Sequence, residues 1–194
     1  MNSINFFGFR IIFMIFLVVS ATTLFSQSQT NQKDSLIWGA EYDFMAPRIG
    51  QWYDLNIDGY VAHGRIKHSL MFAHISIKDI HLTDESFSKD NLNAFGYRGE
   101  VFSHRELKRW STGVLLLYSM HKVETSASHH QGRFGTLFVG VPIGYTWVIW
   151  KHLTINPGIS VLYPLTNRTI TIGTEQVNQA PWGLEPGLRI GYRF

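Results

Sequence analysis

The chain predicts an all-β fold, an eight-stranded antiparallel transmembrane up-and-down β-barrel behind an N-terminal signal peptide, and three features of its 194 residues carry that expectation. Apolar and polar residues alternate at period two through most of the length. Short connections alternate with long ones, and an apolar run near the N-terminus follows a single basic residue. Alternation at period two marks a strand with one face in lipid and the other in a lumen, because successive side chains point to opposite faces.

The N-terminal run from Ile11 to Val19 follows Arg10 and extends toward Phe25 only through Ser20, Ala21, Thr22 and Thr23. It falls near or below the roughly 20 apolar residues of a spanning helix, so cleavage rather than anchoring is expected. The cut is placed after Ser26, with Thr23 as the alternative. Residues 1–26 are thus read as the signal peptide, 27–34 as a short linker and 35–194 as the barrel. About 168 residues remain, which suits one domain.

No cysteine occurs, which excludes disulfide staples and a cysteine-linked lipid anchor. Only 16% of residues are charged, against about a quarter in soluble domains. The formal net charge is +3, but no basic stripe interleaved with aromatics is present, so nucleic acid is excluded as a partner.

In chain order, the first strand sets Leu36, Trp38, Ala40, Tyr42 and Phe44 toward lipid against Gly39, Glu41 and Asp43. The second sets Tyr53, Leu55, Ile57 and Val61 against Asp54, Asn56 and Asp58. The third sets Met71, Ala73, Ile75 and Ile77 toward lipid and Phe72, His74 and Ser76 toward the lumen. On the fourth, Phe95, Tyr97, Gly99 and Val101 oppose Arg98, Glu100 and Phe102. The fifth opposes Trp110, Thr112, Val114, Leu116 and Tyr118 to Ser111, Gly113, Leu115, Leu117 and Ser119, a lumen set less polar than the others. The sixth opposes Leu137 through Ile149 at alternate positions to Thr136, Phe138, Gly140, Pro142, Gly144 and Thr146. The seventh opposes Leu153, Ile155, Pro157, Ile159, Val161 and Tyr163 to Thr154, Asn156, Gly158 and Ser160. The last places Leu184, Pro186, Leu188, Ile190, Tyr192 and Phe194 on one side and Glu185, Gly187, Arg189, Gly191 and Arg193 on the other. Each charge there falls on one face, and an Arg misplaced to mid-bilayer would cost about 2 to 4 kcal/mol, so the charged face is the lumen.

The links Gly64 to Lys67, Arg105 to Arg109 and Trp150 to His152 are short and basic; Asp79 to Asn93, Val123 to Phe134 and Thr166 to Trp182 are long and polar, with Ala46 to Gln51 a short exception. Short periplasmic turns and longer outer loops are expected of such barrels.

From Ser35 to Phe194 the chain resembles the small eight-stranded outer-membrane barrels of the OmpA and OmpX type, within them uncharacterised Gram-negative barrels. Its terminal Gly191-Tyr192-Arg193-Phe194 resembles the C-terminal aromatic signal read by the barrel assembly machinery. The resemblance implies insertion in a bacterial outer membrane, with Tyr192 and Phe194 as the assembly signal. It implies no particular activity.

Candidate chemistry is sparse. Glu41, Asp43, Asp54, Asp58, Arg98, Glu100, Glu185, Arg189 and Arg193 form an expected lumen charge network, with Glu41 meeting Arg189 where the first and last strands adjoin. Eight strands enclose a space that side chains fill, and a buried charge needs a partner. His74 and Ser76 share a strand face, a geometry usable in nucleophilic catalysis. The barrel lipid A deacylases resembling this size class carry a His-x-Ser pair with a later acid, but late in the chain and facing lipid. His121, His129 and His130 lack the carboxylate or cysteine that would complete a metal set, and no cofactor is expected. The tryptophans near strand ends suit interfacial girdles.

These residues favour a non-enzymatic barrel with a side-chain-filled lumen, structural or acting through its outer loops on an unknown extracellular ligand. The alternatives are a lipid-modifying enzyme of the lipid A deacylase kind using His74 and Ser76, and a small-solute or ion pore. Expected partners are outer-membrane lipid and lipopolysaccharide, and the assembly machinery during biogenesis.

Overall fold

The computed structural model describes residues 36–45, 55–78, 87–126, 128–167, 169–179 and 181–194. The expected signal peptide and linker, the connection from Ala46 to Gln51, and Asp54 lie outside them.

Among the described residues ten strands follow in order: β1 (Leu36–Asp43), β2 (Leu55–His63), β3 (Ile66–Lys78), β4 (Phe87–His104), β5 (Lys108–Thr125), β6 (Gln131–Val148), β7 (Leu153–Pro164), β8 (Thr169–Ile172), β9 (Glu175–Asn178) and β10 (Gly183–Arg193). Eight of them close into an antiparallel barrel in the ring order β1-β10-β7-β6-β5-β4-β3-β2, while β8 and β9 form a separate hairpin. The fold is therefore an all-β, up-and-down, eight-stranded barrel. Closure runs along the first and last strands, where Gly39 stands opposite Arg193 and Asp43 opposite Arg189. A closed ring pairs its own edges, so each of the eight barrel strands has a partner on both sides.

In seven barrel strands the inward and outward sets are those that the alternation predicts. On β3 they are reversed. Lys67, Ser69, Met71, Ala73 and Ile75 are buried inside, whereas His68, Leu70 and His74 are exposed, Leu70 at 72%. The turn before it is two residues long rather than four, with Gly64 (φ 61) and Arg65 connecting His63 directly to its partner Ile66, and this pairing sets the faces. Directly paired residues of antiparallel strands share a face. The outward His63 therefore sets Ile66 outward and Lys67 inward.

The outer connections are also shorter than expected. Strand β4 begins at Phe87, and β5 and β6 run on to leave only 126–130 between them. The stretch from Thr166 to Trp182 is not an open loop, because it contains the β8–β9 hairpin. Ile170 and Ile172 of that hairpin are buried against Val123 and Phe134, and Gln179 hydrogen-bonds Thr136 at 3.1 Å.

The interior is layered from the end that carries the β2–β3 turn toward the opposite end. Tyr60, Ala62, Phe102 and Leu107 form a first apolar layer. A belt of charged groups around Lys67, Glu100 and Arg189 follows, all three nine-tenths or more buried. Above it, Met71, Ala73, Ile75, Ala94, Leu115 and Leu117 form a second apolar layer. That layer explains the weak polarity of the inward face of β5. It also explains β3, whose middle is apolar on both faces because one meets this layer and the other faces outward.

Strands β4 and β5 leave no room for a side chain at Gly113. Gly113 stands opposite Glu100, and a Cβ there would lie 1.8 Å from the Gly99 carbonyl oxygen.

Candidate functional site

The inward positions of β1, β3, β4 and β10 bring the charged belt together. Lys67 Nζ donates to both carboxylate oxygens of Glu41 at 2.8 Å and lies 3.2 Å from Glu100 Oε2. Arg189 donates to Glu100 at 3.2 and 3.3 Å and to Asn156 Oδ1 at 2.9 Å, and stands 3.5 Å from Glu41. The Ser111 hydroxyl donates to Glu100 at 3.3 Å, and Asn156 in turn donates to Thr146. One step outward, Arg98 donates to Asp58 at 2.8 Å. Three carboxylates, Glu41, Asp58 and Glu100, thus face three cations, Lys67, Arg98 and Arg189, so the charges balance. Buried ions are tolerated when each is paired and its remaining donors and acceptors are met.

Other residues expected in this network take separate places. Arg193 donates to the Leu107 carbonyl at 3.1 Å, tying the last strand to the turn between β4 and β5. Asp43 accepts from the backbone N–H of Met45 at 2.9 Å and of Leu188 at 3.1 Å, so it holds the end of β1. Glu185 lines a small space of about 20 Å3 with Arg98 and Arg189. Lys67 and Asn156 are the members that the charge pattern alone did not single out. The signal for Lys67 was the two-residue Gly64-Arg65 turn, which fixes its parity. For Asn156 it was membership of the inward set of β7.

His74 and Ser76 are not lumen residues. The reversal of β3 turns them to the outside of the barrel, away from the charged belt, because they share the parity of the exposed Leu70. There His74 Nδ1 lies 2.7 Å from Asn93 Oδ1, its direct partner on β4. Both residues line an outward groove of about 700 Å3 that continues across β4, β5 and β6 to Lys122 and Arg133. A serine and an oriented histidine thus share the outer face of the barrel.

The three histidines weighed for metal, His121, His129 and His130, have local partners. His121 Nδ1 lies 2.7 Å from Asp90 and its ring stacks on Phe134, His129 Nδ1 lies 3.1 Å from Glu124, and His130 Nδ1 lies 2.9 Å from the Ser128 hydroxyl. Among the described residues no group of three or more histidines, cysteines or carboxylates is placed to hold a metal ion.

At the other end the terminal residues are built into the closure. Phe194 N–H donates to the Trp38 carbonyl at 2.9 Å, and the exposed rings of Tyr192 and Phe194 meet edge to face at 5.6 Å.

No protein-family model matches the chain, and no curated protein matches it. Among solved structures the chain is similar to Neisserial surface protein A, at 9% identity and a TM-score of 0.41, over 84% of this chain and 98% of that one.

Proposed function

We propose that the protein is a bacterial outer-membrane barrel that does not conduct, and that serves as a structural or surface-interaction element through its outer end. The observation that carries this reading is the segregation of charge. The outward positions present Trp38, Leu70, Phe95, Leu116, Ile143 and Trp147 as an exposed apolar surface, while the paired ions stand inside. An exposed apolar surface of that extent belongs in lipid. The belt of ion pairs between two apolar layers supports a closed lumen, and the β8–β9 hairpin over the outer end supports a surface role. Conductance across planar bilayers tests it: the purified barrel is expected to give no steady current, and well-defined open channels would make it a pore.

A second reading is favoured by one observation, the outward placement of His74 and Ser76 with Asn93 beside the histidine. In that reading Asn93 orients the imidazole, His74 takes the proton of Ser76 as the serine attacks an acyl ester of an outer-leaflet lipid, the imidazolium returns that proton to the departing lipid hydroxyl as the ester C–O bond breaks, and water then hydrolyses the acyl-serine to free fatty acid and serine. Mass spectra of lipid A from cells with and without the gene decide it. Loss of one acyl chain that depends on Ser76 would establish the enzyme, and an unchanged pattern would remove it.

A further inference from the structure

The register across β3 to β6 arranges the outward side chains in rows. One row is Phe72, Phe95, Tyr118 and Leu137, the next is His74, Asn93, Met120 and Gly135, and the third is Ser76, Asn91, Lys122 and Arg133. Polarity therefore changes from aromatic to neutral polar to cationic within two row steps, each about 7 Å along the strand. The rows past the aromatic one line the groove of about 700 Å3.

Height places this gradient at the outer interface. From Trp110, an exposed ring at the periplasmic end of β5, Tyr118 lies about 20 Å up the barrel if the strand tilts by about 40°. Lys122 stands about 10 Å higher, about 30 Å above Trp110 and so about 5 Å beyond an apolar band about 25 Å tall that begins at that ring, the height of the headgroups.

Lys122 and Arg133 are a direct cross-strand pair on this face, and both are exposed. Like charges directly opposite one another destabilise a sheet unless something neutralises them. No carboxylate among the described residues is within ion-pair distance of either. The next outward acid on β5, Glu124, is engaged with His129 and stands opposite Lys89.

We propose that the outward groove at Lys122 and Arg133 binds the phosphate of an anionic, multiply acylated lipid of the outer leaflet, with the acyl chains lying along Tyr118, Phe95 and Phe72. Arginine offers a planar fork and lysine a point charge to a phosphate, and Asn91 and Ser76 add hydrogen-bonding groups beside them. The ring pair of Phe72 and Phe95, with centroids 5.1 Å apart, supplies a firm wall for a chain. The site rests on the membrane-barrel reading and holds whether or not His74 and Ser76 act on the lipid.

The test is native mass spectrometry of the full-length mature protein released from detergent with bis-phosphorylated lipid A, its dephosphorylated counterpart, or inorganic phosphate. The wild type is expected to retain the bis-phosphorylated lipid in preference to the dephosphorylated one. Lys122→Gln with Arg133→Gln is expected to weaken that retention about tenfold or more, and excess inorganic phosphate is expected to leave it intact. Equal retention of both lipids, or by both proteins, overturns the site. Displacement by inorganic phosphate also overturns it, because the occupant would then be the free anion. Both proteins are checked for the gel-mobility shift of a folded barrel. A shift without phosphate-dependent retention defeats this site alone, and no shift in the wild type defeats the membrane reading as well.

Discussion

Arg189 of β10 and Glu100 of β4 meet at 3.2 Å although their strands stand on opposite sides of the eight-stranded ring. The contact spans the diameter of the barrel, so the width of the lumen at this height is the length of two side chains. Arg189→Met removes one partner and leaves Glu100 and Glu41 to share Lys67. A buried pair broken on one side costs about 3 to 5 kcal/mol. Urea titration of the bilayer-inserted barrel, read from the folded gel band, should show a loss of that order. Adding Glu100→Gln should recover part of it, since residues in one network couple.

The orientation of β3 separates two neighbours. Leu70 is 72% exposed and Met71 is buried at 7%. Leu70→Cys in the inserted barrel is expected to react with a lipid-soluble maleimide, and Met71→Cys to stay unlabelled until unfolding. The opposite pattern would restore the face that alternation alone predicts.

That strand shows where sequence is sufficient and where it is not. On β10 the charges Glu185, Arg189 and Arg193 sit at one parity and Leu184, Leu188 and Ile190 at the other, so the face is decided locally. On β3 the segment Leu70-Met71-Phe72-Ala73 is apolar at both parities, because the inner layer of Leu115 and Leu117 is as apolar as the outside. The even length of the Gly64-Arg65 turn decides: it carries the outward parity of His63 to Ile66, so Lys67 turns into the charged belt and His74 out of it. The expected meeting of Glu41 and Arg189 was legible from strand adjacency, and their separation is 3.5 Å. The cross-lumen partners were not, since alternation states which face a residue takes and not which opposite strand it reaches. The β8–β9 hairpin was hidden because Thr169 to Ile172 is too short to stand out from a polar loop.

Gly113 allows β4 and β5 to approach. With the Gly99 carbonyl oxygen 1.8 Å from a new Cβ, Gly113→Ala forces the two backbones apart. Overpacking of this kind costs about 1 to 3 kcal/mol. The unfolding midpoint of the variant should fall accordingly, and an unchanged midpoint would show that the ladder has slack there.

The β8–β9 hairpin should detach without loss of the barrel. Ile172 is 5% exposed, packed with Val123 and Phe134 and against Gly132. Ile172→Asp places an unpaired charge in that cluster, so proteolysis near the Gly173-Thr174 turn should accelerate while the folded band persists. Simultaneous loss of the band would mean that the hairpin is part of the barrel's own stability.

Electrophoresis of fractionated membranes with and without heating reads out both closure of the barrel and its residence in the outer membrane. A closed barrel keeps its backbone hydrogen bonds in detergent and migrates differently until it is boiled. A heat-dependent mobility shift is expected for the protein in the outer-membrane fraction. A single unshifted band, with the protein in the soluble periplasmic fraction, would contradict it.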